Sequence, residues 1–333
     1  MNQNEDLISP NEDLSSQNED LTSQNEDLTS QNEDLSSPNE PKTTHKAGFV
    51  NIIGNPNVGK STLMNALVGE KLCITTQKSQ TTRHRIMGMV NGDDYQVVYS
   101  DTPGLVHPHH KLHQSMMAFV GEALRDADIF LVITELGESF KNDETLQYII
   151  QSTIPIILVV NKIDLSSQDV VKEKLDYWQS VIPRAQVLPC SAITGFGVER
   201  IFDTILQMLP LSPPYFEKQQ LTDKSLRFFA AEIIREKLLL FYDKEIPYCC
   251  EVTIEQYEET PTLDRISAVI YVERESQKRI LIGHNGTSMK RVGISARQDL
   301  EAFVGKQCYI SLFVKVSDSW RNNDKTLHRF GYN

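Results

Sequence analysis

From Ala47 onward the chain alternates short apolar runs with stretches whose apolar residues recur at helical spacing. Residues 48–53, 129–134 and 154–160 are apolar at almost every position, which is the pattern of strands covered on both faces. Residues 86–91 and 95–100 flank Gly92-Asp93-Asp94 and read as a hairpin. Residues 186–189 form one more short run. Helices are expected just after Ser61 and at 115–124, 142–151, 169–181 and 197–209. This β/α succession predicts an α/β fold, a doubly wound sheet with a largely parallel core.

Three prolines, Pro210, Pro213 and Pro214, then punctuate the chain. The rhythm changes after them. A helix is expected at 226–242, alternating strands at 249–257 and 265–275, two short helices around Gly283–Gly286, and a last strand at 307–316. An α-β-β-α-α-β order in about 110 residues predicts a smaller α+β domain. The expected division is a tail at 1–46, a first domain at 47–210, a linker at 211–223 and a second domain at 224–333. In the tail, residues 4–38 repeat a seven-residue unit five times with one leucine per unit. A coiled-coil seam needs two apolar positions per heptad, so a disordered acidic tail is expected instead.

Charge sharpens this division. The net charge of −12 is concentrated in residues 1–46, with 11 acidic and 2 basic side chains. Residues 274–333 carry 11 Lys/Arg against 5 Asp/Glu, a basic end where nucleic acid is the expected partner. The five cysteines show no paired spacing, which suits a reducing cytosol. No apolar run is long enough for a membrane span, and no basic-then-apolar leader pattern stands at the N-terminus. A cytoplasmic location is expected, with peripheral contact at the inner face of the cell membrane left open.

Gly54-Asn55-Pro56-Asn57-Val58-Gly59-Lys60-Ser61-Thr62 lies between an expected strand and an expected helix, the context of a phosphate-binding P-loop. Its glycines let several backbone N–H groups face one anion, and the helix N-terminus adds positive potential. Lys60 is expected on the β- and γ-phosphates and Ser61 on Mg²⁺. Forty residues on, Asp101-Thr102-Pro103-Gly104 can hold Mg²⁺ through Asp101 and contact the γ-phosphate through Gly104. Asn161-Lys162-Ile163-Asp164 follows an apolar strand, and the Asp164 carboxylate can accept from guanine N1–H and its 2-amino group. Adenine offers no such donors, so a site of this kind discriminates strongly. Ser191-Ala192 can offer a backbone N–H to guanine O6. Together these predict a site for GTP or GDP with Mg²⁺.

Residue 105, directly after Gly104, is leucine, and an apolar side chain cannot orient water. Backbone, another group or a partner must then do so, and intrinsic hydrolysis is expected at about 10⁻⁴–10⁻² s⁻¹. A non-enzymatic module that binds nucleotide without turnover is the rival reading. Near the C-terminus, Ile282-Gly283-His284-Asn285-Gly286 places a GxxG turn between helices, with Lys278, Arg279, Lys290, Arg291 and Arg297 around it. In a KH domain such a turn clamps backbone nucleotides beside a groove for single-stranded bases. The element order predicts the bacterial, type II form of that fold.

The succession GNPNVGKS, QTTRH, DTPG, NKID and SA resembles the Era family of GTPases. The resemblance extends over residues 47–333. It includes Arg235-Glu236-Lys237, Glu245-Ile246-Pro247-Tyr248, Met289-Lys290-Arg291-Val292-Gly293 with Ala296-Arg297, Val314-Lys315-Val316, Trp320-Arg321 and Gly331-Tyr332. It implies a slow GTPase in which Lys60, Thr82 and Gly104 serve catalysis and Thr82 closes onto Mg²⁺. Asn57 resembles an asparagine that holds K⁺ beside the phosphates in related GTPases. It implies, further, a monomer that binds the 3′ end of 16S ribosomal RNA and assists assembly and maturation of the small (30S) subunit. A sibling GTPase acting on another RNA is the alternative. Two features depart from the family: the acidic repeat, and His284, where a lysine is common.

Overall fold

The computed structural model describes residues 44–138 and 143–332. The acidic heptapeptide repeat and the expected tail therefore lie outside the described residues. A six-stranded sheet runs in the order β2-β3-β1-β4-β5-β6, from β1 (Lys46–Gly54), β2 (Ile86–Asn91), β3 (Tyr95–Asp101), β4 (Ile129–Glu135), β5 (Ile156–Asn161) and β6 (Gln186–Pro189). Only β2 pairs antiparallel, through the hairpin to β3; every other pairing is parallel. Helices α1 (Lys60–Val68) and α5 (Val198–Met208) cover one face. Helices α2 (Lys111–Arg125), α3 (Asp143–Gln151) and α4 (Gln168–Val181) cover the other.

The continuous apolar runs follow from this double cover. Successive strand residues point to opposite faces. Ile52, Leu131, Ile133, Ile157 and Val159 meet α1 and α5, while Ile53, Phe130, Val132, Leu158 and Val160 meet α2 to α4 and Trp178. A parallel order also delivers the C-terminal ends of β1, β3, β4 and β5 to one edge. Ligands bind at that edge in open α/β sheets.

Residues 210–223 strap the outer edge of this sheet rather than hanging free. Tyr215 and Phe216 donate their N–H groups to Gln96 Oε1, Met89 N–H donates to Leu221 O at 2.8 Å, and Thr222 Oγ1 donates to Met87 O at 2.7 Å. Helix α6 (Leu226–Phe241) follows, then the short α7 (Ile246–Cys249), which was not expected and meets the expected strand at 249–257 only at Cys249. Strands β7 (Glu251–Glu258), β8 (Leu263–Val272) and β9 (Gln307–Val316) form a second sheet, antiparallel then parallel. Its core joins Ile234 and Leu238 of α6 with Leu281 of α8 (Glu275–Ile282) and Val292 and Ala296 of α9 (Thr287–Val304). A last helix, α10 (Asp324–Arg329), was not expected. Among the described residues no helix is long and apolar enough to cross a membrane.

Candidate functional site

The loop between β1 and α1 turns through two left-handed residues, Asn57 at φ +68° and Gly59 at φ +97°. Asparagine and glycine occupy that region most cheaply. Gly54 and Gly59 are also sterically required. A Cβ on Gly54 would stand 2.3 Å from Ile133 O, and one on Gly59 2.3 Å from Asn161 Nδ2. Asn55 and Val58 are buried, Pro56 half-buried, and Asn57 sits exposed at the tip. Lys60 folds over its own loop, donating to Gly54 O at 3.1 Å and Asn55 O at 2.9 Å. Burial pulls its pKa down to about 8, while Asp101 and Glu138 push it back up. A polyanion arriving here would relieve that cost.

Beyond Lys60, three oxygens converge. Ser61 Oγ donates to Asp101 Oδ2 at 2.6 Å and lies 2.9 Å from Thr82 Oγ1, which is 3.0 Å from the same carboxylate oxygen. All three residues are buried, and Asp101 Oδ1 finds no hydrogen-bond partner among the described residues. Two hydroxyls and a carboxylate with a spare buried oxygen suit a hard cation such as Mg²⁺. Thr102 anchors the following turn by donating to Ile52 O at 2.7 Å, and Pro103 is buried beside it. Gly104 passes so close to the P-loop that a Cβ would lie 2.8 Å from the backbone of Pro56. Thr62 completes the first turn of α1, half-buried.

Asn161 ends β5 and acts as a brace. Its Nδ2 donates to Val58 O at 2.8 Å, and its Oδ1 accepts from Ala192 N–H at 3.0 Å, joining the P-loop to the 191–192 turn. Ser191 N–H donates to Phe196 O at 3.0 Å. The Ser191 and Ala192 amides, one of which is expected on guanine O6, are thus hydrogen-bonded within the protein, to Phe196 O and to the buried Asn161 carboxamide. Lys162 sits at φ +61° with its ammonium paired to Glu135. Asp164 is exposed on a single turn of 3₁₀ helix and borders a pocket of about 480 Å³ shared with Ser191 and α4.

The segment carrying Thr82 is clamped from its other side by the C-terminal part of the chain, a feature with no local signal in sequence. Arg83 is only 1% exposed; it donates to Glu251 Oε2 at 2.8 Å and Cys250 O at 2.6 Å. Arg235 of α6 donates to Thr81 O. His84 stacks on Tyr332 with ring centroids 4.3 Å apart. Leu112 and Met116 of α2 pack with Trp320, Leu327, Phe330 and Tyr332.

On the second sheet, α8 ends at Ile282, Gly283 to Gly286 turn, and α9 begins at Thr287. Gly283 has φ +73° and its Cβ would lie 2.3 Å from Ser288 Oγ; Asn285 is left-handed at φ +50°, and His284 is exposed. An open groove of about 610 Å³ runs from this turn between α9 and β9. Ile282, Gly286, Lys290 and Arg297 line it, as expected residues. Lys278 and Arg279 lie on α8 outside the lining, and Arg291 is turned away, its guanidinium 4.3 Å over the ring of Phe241. The sequence reading missed the apolar wall, notably Tyr309 and Phe313, 57% and 55% exposed. Their signal was available: outward positions of a terminal strand that stay aromatic instead of turning polar.

Comparison with known proteins places this geometry. Residues 49–162 match a family described as 50S ribosome-binding GTPase, and residues 245–321 match the KH domain. GTPase Era of Syntrophus aciditrophicus is 42% identical over 292 residues, covering 86% of this chain and 95% of the relative. A chloroplastic ERA-like GTPase of Oryza sativa is 41% identical over 294 residues, covering 86% and 70%. A crystal structure of Era in complex with MgGDPNP and nucleotides 1506–1542 of 16S ribosomal RNA superposes with a TM-score of 0.83 at 36% identity, covering 86% of this chain and 99% of that one. A point variant of Aquifex aeolicus Era bound to GDP·AlF4⁻ gives the same values. P-loop, oxygen cluster, clamp and groove all fall within the matched length, and the chain belongs to the Era family of GTPases.

Proposed function

We propose that the chain is a GTP-hydrolysing switch that binds the single-stranded 3′ end of 16S ribosomal RNA and assists assembly and maturation of the 30S subunit. One observation carries this reading: neighbouring residues serve both halves, Thr82 reaching the oxygen cluster and Arg83 the C-terminal domain. A γ-phosphate that draws Thr82 inward therefore also bears on the RNA-binding half. The division of labour is 47–210 for nucleotide, 211–223 as strap and 224–333 for RNA. The relative crystallised with MgGDPNP and 16S RNA holds both ligands on one protein, which supports the pairing.

In this reading the loop from Gly54 to Thr62 cradles the phosphates, with Lys60 on the β- and γ-groups. Ser61, Thr82 and Asp101 would hold Mg²⁺, which spreads and neutralises phosphate charge when bound. The Gly104 N–H meets the γ-phosphate, so that Lys60, Thr82 and Gly104 stabilise the charge of the transferring group. Asp164 reads the guanine edge from the turn that follows Asn161 and Lys162. The Asn57 side chain would hold K⁺ beside the phosphates; turnover compared in K⁺ and Na⁺, for wild type and Asn57→Gly, tests it without backbone strain. Bases lie along the apolar wall of Tyr309 and Phe313, while the Gly283–Gly286 turn, Lys290 and Arg297 meet the backbone. On this reading the chain would act as a monomer where the small subunit is assembled, in the cytoplasm.

The test is binding of a labelled RNA from the small-subunit 3′ end, with a non-hydrolysable GTP analogue and then with GDP. Tyr309→Ala with Phe313→Ala is the cleaner control than Gly283→Asp, whose Cβ would collide with Ser288. Loss of stacking on two rings should weaken binding by roughly 2–6 kcal/mol. Equal affinity in both nucleotide states would refute the switch, and failure to bind this RNA would refute the target.

A further inference from the structure

Leu105 is only 3% exposed, packed into the core beneath α2, so nothing at that position can face a water molecule. Beside it opens a pocket of about 230 Å³, walled by Pro56 of the P-loop and by Leu105 and Val106. Gln80, His107, His109 and His113 supply its polar groups. Gln80 stands two residues before Thr82 and is held at φ +58°. A non-glycine residue persists in that region when its surroundings impose it, and such residues collect at functional sites.

The Gln80 side chain is held from α2. His113, in the first turn of α2, has Nε2 3.3 Å from Gln80 Oε1. Its Nδ1 faces the His109 N–H at 3.5 Å and acts as the acceptor there. A neutral ring whose Nδ1 accepts carries its proton on Nε2, so His113 donates to Gln80 Oε1. Burial, then His109, Arg83 and Arg321 nearby, holds the His113 pKa below the usual imidazole range, in keeping with a neutral ring. His110 fixes this turn, its Nδ1 accepting the His113 N–H at 3.3 Å and its ring lying 3.8 Å from that of His113. The Gln80 carboxamide is thereby oriented. One lone pair of Oε1 is taken by His113, the other remains, and the NH₂ has no protein acceptor among the described residues.

We propose that Gln80 orients the attacking water for GTP hydrolysis, and that His113 is a positioning residue acting through it. The proposal rests on the nucleotide-site reading above. A carboxamide does what leucine cannot: its oxygen accepts from the water while its NH₂ donates to a γ-phosphate oxygen. The water oxygen bonds to the γ-phosphorus, and the bond from that phosphorus to the β–γ bridging oxygen breaks. The electron pair leaves with GDP, and the water's proton ends on the released inorganic phosphate. Gln80 is neither protonated nor consumed. The water-orienting group thus comes from the segment ahead of Thr82 rather than from the residue after Gly104, and reaches its place when that segment closes.

The experiment uses the full chain in excess over GTP, with saturating Mg²⁺ and K⁺, so that a single turnover is followed. Gln80→Ala should slow hydrolysis on the order of 100-fold. Its affinity for GDP and for the Mg²⁺ complex of a non-hydrolysable GTP analogue should stay within about twofold of wild type, and the GDP form should lose capture of AlF4⁻. His113→Ala should slow hydrolysis roughly tenfold, and adding it to Gln80→Ala should cause no further loss, as expected for residues acting as one unit. His113→Asn, which keeps an N–H donor, should restore much of the rate. Hydrolysis and AlF4⁻ capture at wild-type levels in Gln80→Ala would overturn the proposal. So would multiplicative losses in the double variant, or a rate that falls in His107→Ala or His109→Ala and not in Gln80→Ala. A wild-type chain that fails to bind GTP would instead refute the site reading itself.

Discussion

Glu251→Ala removes one carboxylate from beneath the segment that carries Thr82, and its cost can be worked from the contacts. The Arg83 guanidinium donates to Glu251 Oε2 at 2.8 Å and Cys250 O at 2.6 Å, with the Pro247 and Tyr248 carbonyls each 3.3 Å away. Tyr332 OH donates to the same Glu251 oxygen at 2.9 Å. Arginine and glutamate side chains are 1% and 6% exposed, so neither partner can be solvated once the other is gone. Breaking a buried pair from one side costs about 3–5 kcal/mol. Three backbone carbonyls stay on Arg83, which places this term near the lower end, about 3 kcal/mol. The orphaned Tyr332 hydroxyl adds about 1 kcal/mol. The expected loss is therefore about 4 kcal/mol in all.

The two tryptophans make the assay simple, since Trp178 lies in the first core and Trp320 at the clamp, its Nε1 donating to Cys249 O at 2.9 Å. In a Trp178→Phe background, Trp320 fluorescence follows unfolding where Arg83 is held. With a slope of about 2–3 kcal/mol per molar urea, the midpoint should fall by about 1–2 M. Arg83→Met with Glu251→Leu removes both charges and should return to within about 1 kcal/mol of wild type. A Glu251→Ala midpoint unchanged within error would refute the reasoning, as would a double variant no more stable than the single one.

Asn161→Ala cuts the brace between Val58 O and Ala192 N–H, two hydrogen bonds worth about 1–3 kcal/mol together, and should weaken GDP and GTP about 10- to 100-fold in a fluorescent-nucleotide titration. Gly104→Ala puts a Cβ 2.8 Å from the Pro56 backbone; stopped-flow binding should show GDP affinity retained and the preference for a GTP analogue lost. Burial lowers the His84 pKa from 6.5 to about 4, against opposing Glu232. The unfolded chain then binds the proton more readily, so stability is full above pH 6.5 and is lost as pH falls towards 4, by about 2 kcal/mol allowing for partial exposure. His84→Phe keeps a ring against Tyr332 and should remove about one proton from the slope of urea stability against pH, leaving those of His110, which burial also lowers to about 4, and of His113, which burial lowers too.

The parts of this molecule legible in sequence are those whose physics is local. Residues 156–161 are buried at every position because helices lie on both faces, and a run with no polar alternation states that directly. The P-loop needs glycine where its backbone meets Ile133 O, so the glycines appear in the chain at the required spacing. The clamp is different. Arg83 is satisfied by a carboxylate 168 positions away, and nothing in the stretch Gln80–Arg85 separates a buried arginine from one in water. Proline content likewise marks 211–223 as a linker, but not that Gln96 Oε1 would gather two of its N–H groups and fasten it to the sheet edge.

The same contrast explains how one short segment can serve two ligands. Thr82 and Arg83 are adjacent, and their side chains leave the backbone in opposite directions, one into the Ser61–Asp101 cluster and one beneath Cys250 and Glu251. Consecutive Cα atoms are only 3.8 Å apart across a trans peptide. A displacement of Thr82 by even a fraction of that distance cannot leave four hydrogen bonds of a buried guanidinium intact, because packed interiors do not deform continuously. The Arg83 contacts must then either break, at the cost of a buried unpaired charge, or carry β7 and the C-terminal sheet along with them. The second course costs less, and under the proposed function it is the one that would turn the presence of a γ-phosphate into a change at the groove between α9 and β9.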